Sequence, residues 1–135
     1  MSVYVTLRYN DPRGAMRFLV DALGFHESFV ATDDGSEDGP VAHAELRFGD
    51  GVVMIGSRKG GSDPFDTGRA VVYLALDDAR DDTAVVDAHH DHAVAAGAEV
   101  VQELVDQPYG SREYAVRDPE GNIWSVGSYR PALTP

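Results

Sequence analysis

The sequence predicts an α+β fold of two tandem modules, each ordered β-α-β-β-β. Three observations predict it. The run RDPEGNIWSVGSY at 117–129 reads as a tight turn followed by a strand, and RFGDGVVMIGS at 47–57 is a weaker copy of it. Two pairs of punctuating glycines, Gly24 with Gly97 at helix ends and Gly51 with Gly121 at hairpins, recur at an offset of about 70 residues. Between the copies lies 58–68, which opens Arg58-Lys59-Gly60-Gly61-Ser62-Asp63-Pro64 and reads as a linker rich in breakers. The modules then span about 3–57 and 69–129.

The first module opens with a β-rich alternating run at 3–9. Asn10 or Asp11 supplies an N-cap, and Pro12 suits the first helical position. Ala15, Phe18, Leu19, Ala22 and Leu23 follow at helical spacing before Gly24 stops the helix. A strand at 25–32 and an acidic loop at 33–40 lead to strands at 41–48 and 52–57 around Gly49-Asp50-Gly51. The second module repeats this with a strand at 70–76, a polar approach at 77–83 and an Ala/Val-rich helix at 84–96. Strands at 99–104, 112–117 and 122–129 complete it, the last two joined by Asp118-Pro119-Glu120-Gly121.

Composition bounds the function. At 135 residues, 43% hydrophobic and 25% charged, the chain is one globular domain. The absence of cysteine excludes disulfides and thiolate metal sites and fits a reducing cytoplasm. The start, MSVYVTLRYNDP, has no basic-then-apolar leader, and no apolar run approaches the roughly 20 residues of a membrane helix. A net charge of −12 repels nucleic acid and anionic membranes and attracts cations. The expectation is a cytoplasmic protein with neither nucleic acid nor membrane as partner.

The segments ALGF, HAELRFGDGVVMIG, AVAAGAEVV and RDPEGNIWSVGSY together resemble the glyoxalase/bleomycin-resistance/extradiol-dioxygenase superfamily, from about residue 3 to 129. The resemblance implies that the modules form a curved mixed sheet around a cleft, with helices outside, in a homodimer. It also implies where metal ligands would stand in the family's enzymes: on the first and last strands of each module, as His, Glu or Gln. Matched by strand and by distance to the turns, those positions are Tyr4, Met54, Val71 and Ser125. A phenol that ionises near about 10, a thioether, an alkyl group and a hydroxyl suit no hard or borderline divalent ion. A slip of one residue substitutes Val53, Ile55, Val72 or Trp124, which are no better. No metal and no cofactor are expected.

A relocated site has two candidates. Alternation puts His43, Glu45 and Arg47 on one strand face, and pairing through Asp50-Gly51 sets Arg47 opposite Met54. Arg47 opposes a bare cation there, so a hydrogen-bonded row is the stronger expectation. His89 and His92, one helical turn apart, read as part of a solvated helix face. The acidic loop 33–39 lacks the spacing of a calcium loop.

The expected cleft lining is therefore organic-ligand chemistry: Tyr4, Thr6, Arg8, His43, Glu45, Arg47, Met54, Tyr73, Tyr109 and Ser125. Trp124, Tyr9, Phe18, Phe48 and Leu74 are expected in the core. The predicted function is metal-independent binding of a small drug or natural product, aromatic or cationic, as in the bleomycin-resistance branch. The alternative is a lyase, isomerase or dioxygenase using a relocated metal or acid–base pair at His43 and Glu45.

Overall fold

In the computed structural model, which describes residues 1–133, two mixed four-stranded sheets hold the eight strands of the described chain. The first unit, Met1–Gly68, runs β1 (Val5–Tyr9), α1 (Pro12–Leu23), β2 (His26–Thr32), β3 (Val41–Phe48) and β4 (Gly51–Ser57). Its strand order is β1-β4-β3-β2, with β1 parallel to β4 and the other pairs antiparallel. Of the two possible caps the helix uses Asp11, whose carboxylate accepts from Gly14 N at 3.0 Å; such a cap contributes about 1 kcal/mol. The helix stops at Gly24, φ +86°, whose N–H returns to the Val20 carbonyl at 3.3 Å.

Ala15, Met16, Leu19, Ala22 and Leu23 form the buried stripe of α1. They pack on one face of the sheet, where Leu7, Tyr9, Ala44, Leu46, Val53 and Ile55 alternate inward. Burying a side chain the size of Leu or Ile contributes about 1.5–3 kcal/mol. Phe18 and Phe48 are only half-buried, and Phe25 fills the core instead, its ring 5.0 Å from that of Phe48. The 58–68 segment is a hydrogen-bonded loop of this unit. Asp66 accepts from Lys59 N and Gly60 N, and Arg58 donates to the Asp66 and Thr67 carbonyls.

The first hairpin differs from expectation. Phe48 pairs with Gly51, so the turn is the two residues Gly49-Asp50, with positive φ at Gly49. Gly51 is therefore the first residue of β4 and no counterpart of Gly121. The residue opposite Met54 is Glu45, not Arg47, which pairs with Val52. The displacement is two residues, an even number, so Met54 keeps the face that alternation assigned to it.

The second unit begins at Arg69 and contains β5 (Val71–Ala75), a 3-10 turn (Asp77–Arg80), α2 (Ala84–Ala95), β6 (Glu99–Asp106), β7 (Arg112–Arg117) and β8 (Ile123–Gly127). Its order, β5-β8-β7-β6, repeats the pattern of the first, including one parallel pair, β5 with β8. Trp124, Val126, Tyr114, Val116 and Leu74 alternate into its core beside Val86 and Ala93 of α2.

The turn at 118–122 is built on one buried carboxylate. Asp118 Oδ1 accepts from Glu120 N and Asn122 N, and Oδ2 accepts from Asn122 Nδ2 and the Trp124 indole at 3.1 Å. Asn122 Oδ1 in turn accepts from Ala70 N at 2.8 Å, tying the turn to the start of β5. Gly121, at φ +96°, closes the loop in the left-handed region. Asp, Asn and Trp at this spacing are needed together because each satisfies the others' buried polar atoms.

Candidate functional site

Side chains that alternate with the core stand on the opposite face of each sheet. In the first unit the register sets Thr6, Met54, Glu45 and Phe29 in one row across four strands. His43, two residues from Glu45, places Nε2 2.8 Å from Glu45 Oε2, both side chains near two-fifths exposed. The Phe29 ring lies 6.2 Å from the His43 ring. These residues form an open, partly apolar strip with one acid–base pair.

Three further residues predicted for this face have the following surroundings. Tyr4 precedes β1 and is exposed. Arg47 is exposed. Arg8 is committed to the 58–68 loop: its Nη1 lies 2.9 Å from Asp63 and 3.1 Å from Asp66, and its guanidinium sits 5.3 Å from the Phe65 ring centre. Its charge is neutralised where it stands.

The second unit has a denser cluster. Tyr73 pairs with Ser125, and Ser125 with Ala115, across the open face. Beside that row Glu113, only 5% exposed, accepts from the Tyr73 hydroxyl at 2.8 Å and the Tyr109 hydroxyl at 3.0 Å. Tyr129 N donates to the Tyr73 oxygen at 2.9 Å. The Tyr129 ring meets those of Tyr109 and Tyr73 edge-on, with centres 5.5 and 6.5 Å apart. Burial first, then the hydrogen bond to Glu113, holds the Tyr73 phenol well above its ordinary pKa. The bond to Glu113 does the same for Tyr109. Nearby, the Ser111 hydroxyl is buried without a hydrogen-bond partner among the described residues.

Gly127 makes room for this. A Cβ there would lie 2.6 Å from both Glu113 Cγ and the Tyr73 oxygen. Glu113, Tyr129 and Gly127 were not anticipated from the sequence, although a signal was present. Glu45 pairs with Met54 as Ala115 pairs with Ser125, so Glu113 occupies in the second unit the place of His43 in the first. The same match aligns Ile55-Gly56-Ser57 with Val126-Gly127-Ser128, but only Gly127 stands where neighbouring side chains, those of Glu113 and Tyr73, need the space.

The register also refines where family-type metal ligands would stand. The strand partners of Met54 and Ser125 are Thr6 and Tyr73, while Tyr4 and Val71 lie two residues farther along. Two hydroxyls, a thioether and a phenol whose proton is donated to Glu113 do not fit a divalent ion. His43 and Glu45 supply two donors, and no group of three or more His, Asp or Glu arranged for a metal occurs among the described residues. On α2, His89 Nδ1 lies 2.6 Å from the buried Tyr114 hydroxyl, and His90 is held by Asp91 and Glu103, which raise its pKa. Those imidazoles serve the fold.

Two surface depressions of about 330 and 220 Å³ lie along α1, lined by Asn10, Arg13, Asp38, Met16 and their neighbours, away from these residues. No helix is long and apolar enough to cross a membrane.

Comparison with known proteins agrees with this geometry. The profile of the Glyoxalase/Bleomycin resistance protein/Dioxygenase superfamily matches residues 2–126. An uncharacterised protein of Mycobacterium bovis is 35% identical over 118 residues, 78% of this chain and 73% of its own. The crystal structure of TioX from Micromonospora sp. ML1 is 31% identical and superposes with a TM-score of 0.71, covering 99% of this chain and 100% of TioX. Lactoylglutathione lyase from Agrobacterium tumefaciens shares the fold at 20% identity, with a TM-score of 0.70 over 94% and 92% of the two chains.

Proposed function

This chain belongs to the glyoxalase/bleomycin resistance protein/dioxygenase superfamily, and on that premise we propose that it binds a small organic molecule without a metal, as a sequestering protein of the bleomycin-resistance kind. One observation carries the reading: the rows that would hold ligands in a metalloenzyme contain Thr6 with Met54 and Tyr73 with Ser125. On the open face of each unit, aromatic rings and a few polar groups, with a thioether in the first, suit a planar or cationic organic ligand. A homodimer in the cytoplasm is part of the same proposal.

The experiment is elemental analysis of the purified protein, followed by a thermal-shift screen of aromatic and cationic metabolites with and without chelator. A ligand at about 100 times its dissociation constant adds about 2.7 kcal/mol of stability, and the gain is expected to survive chelation. Stoichiometric divalent metal whose removal abolishes binding overturns the reading. The His43–Glu45 contact of 2.8 Å favours a second one, metal-free acid–base catalysis. Under it His43→Ala lowers product formation from the bound ligand about 10²–10⁴-fold; a sequestering protein forms no product either way.

A further inference from the structure

We propose that Tyr73, Tyr109 and Tyr129, standing over Glu113, form a subsite for an organic ammonium group, a protonated or quaternary amine of the ligand. The inference rests on the small-molecule reading above and names the ligand class.

The hydrogen bonds define the charge of the cluster. The Tyr73 hydroxyl accepts from Tyr129 N and donates to Glu113 Oε2. Tyr109 gives its proton to Oε1. Both oxygens of Glu113 therefore act as acceptors, the pattern of a carboxylate rather than a carboxylic acid. No cationic side chain pairs with it among the described residues. The flanking arginines are spent elsewhere: Arg112 on Asp87 and Asp106, Arg117 on Glu99. A buried negative charge balanced only by phenol dipoles leaves an uncompensated field at the site.

The rings supply the rest. Tyr73, Tyr109 and Tyr129 are 37%, 61% and 45% exposed, although a cluster serving only the core would bury its rings. Their edge-to-face contacts turn the π faces in different directions, and the faces left exposed can meet a cation arriving from solvent. The chain's net charge of −12 draws cations and repels anions, which favours a cationic ligand here.

The test uses choline and its neutral isostere 3,3-dimethylbutan-1-ol as probes, titrated into the intact protein and followed by tyrosine NMR signals. Choline is expected to bind saturably and about tenfold more tightly than the isostere. Tyr129→Phe, which keeps the ring, retains that preference, whereas Tyr129→Leu abolishes it. Glu113→Gln weakens choline and leaves the isostere unchanged; because Glu113 is buried, Tyr129→Leu remains decisive if that variant misfolds. Equal binding of the two probes, no saturable choline binding, or choline binding that survives Tyr129→Leu overturns the subsite. If any of those choline results is found while a neutral aromatic ligand still stabilises the wild-type protein, the small-molecule reading stands and this inference falls. No stabilisation by any screened ligand would remove the small-molecule reading itself.

Discussion

Asp118→Ala is expected to lose about 4 kcal/mol of stability, among the largest effects of any single substitution in the second unit. The carboxylate accepts from two backbone N–H groups, the Asn122 amide and the Trp124 indole. Asn122 and Trp124 are buried, at 6% and 0% exposure, so water cannot replace the lost acceptor without opening the turn. Each donor left unsatisfied costs about 1–3 kcal/mol, and the turn also anchors Ala70 through Asn122. Asp118→Asn is expected to lose about half as much. Its amide keeps one acceptor but points N–H groups at donors that already face it. Urea denaturation followed by circular dichroism and by the single tryptophan reads both variants. A falling midpoint at unchanged slope is the expected signature. A midpoint for Asp118→Ala within about 1 kcal/mol of wild type would show that the network is decorative.

That turn also marks where the sequence was most readable. The segment 112–117 was read to the residue, because breakers at Gly110 and Asp118-Pro119 bound a short β-prone run. α1 was legible for a similar reason, with Asp11-Pro12 at one end and Gly24 at the other. The first hairpin was not. Gly49-Asp50-Gly51 offers a glycine on each side of Asp50, and composition alone does not say which one takes the positive φ. Parity protected the face assignment of Met54 while its partner changed from Arg47 to Glu45. The partners of Arg8 are hidden in the sequence for a different reason. Its partners Asp63 and Asp66 lie 55 and 58 residues away in a stretch that reads as linker. Glu113 was the largest omission. In Arg112-Glu113-Tyr114-Ala115-Val116-Arg117 a lone glutamate reads as solvated, and its burial depends on Gly127 and on Tyr73, 40 residues away. Helix and strand ends are local chemistry; the environment of a charge is tertiary.

Gly127→Ala is expected to lose about 3 kcal/mol and to dismantle the tyrosine–carboxylate cluster. The added Cβ would meet Glu113 Cγ and the Tyr73 oxygen at 2.6 Å and the Arg112 carbonyl at 2.7 Å. The two side chains could swing away, but the carbonyl belongs to β7, which Glu113↔Gly127 pairing holds in place. Relief therefore requires moving a strand or giving up the Tyr73–Glu113 hydrogen bond. The equivalent position in the first unit supplies the control. A Cβ on Gly56 meets only the Ala42 carbonyl, at 3.3 Å, a contact a few tenths of an ångström of movement relieves. Gly56→Ala is expected to cost less than about 1 kcal/mol. Alkaline titration of phenol absorbance gives a second readout, since Tyr73 titrates high through burial and its bond to Glu113. In Gly127→Ala one phenol should return towards the ordinary range; in Gly56→Ala none should. Equal costs at the two glycines would mean that Gly127 is only a strand residue. A large cost at Gly127 alone would mean that the second unit gave up a side chain so that Glu113 and Tyr73 could meet.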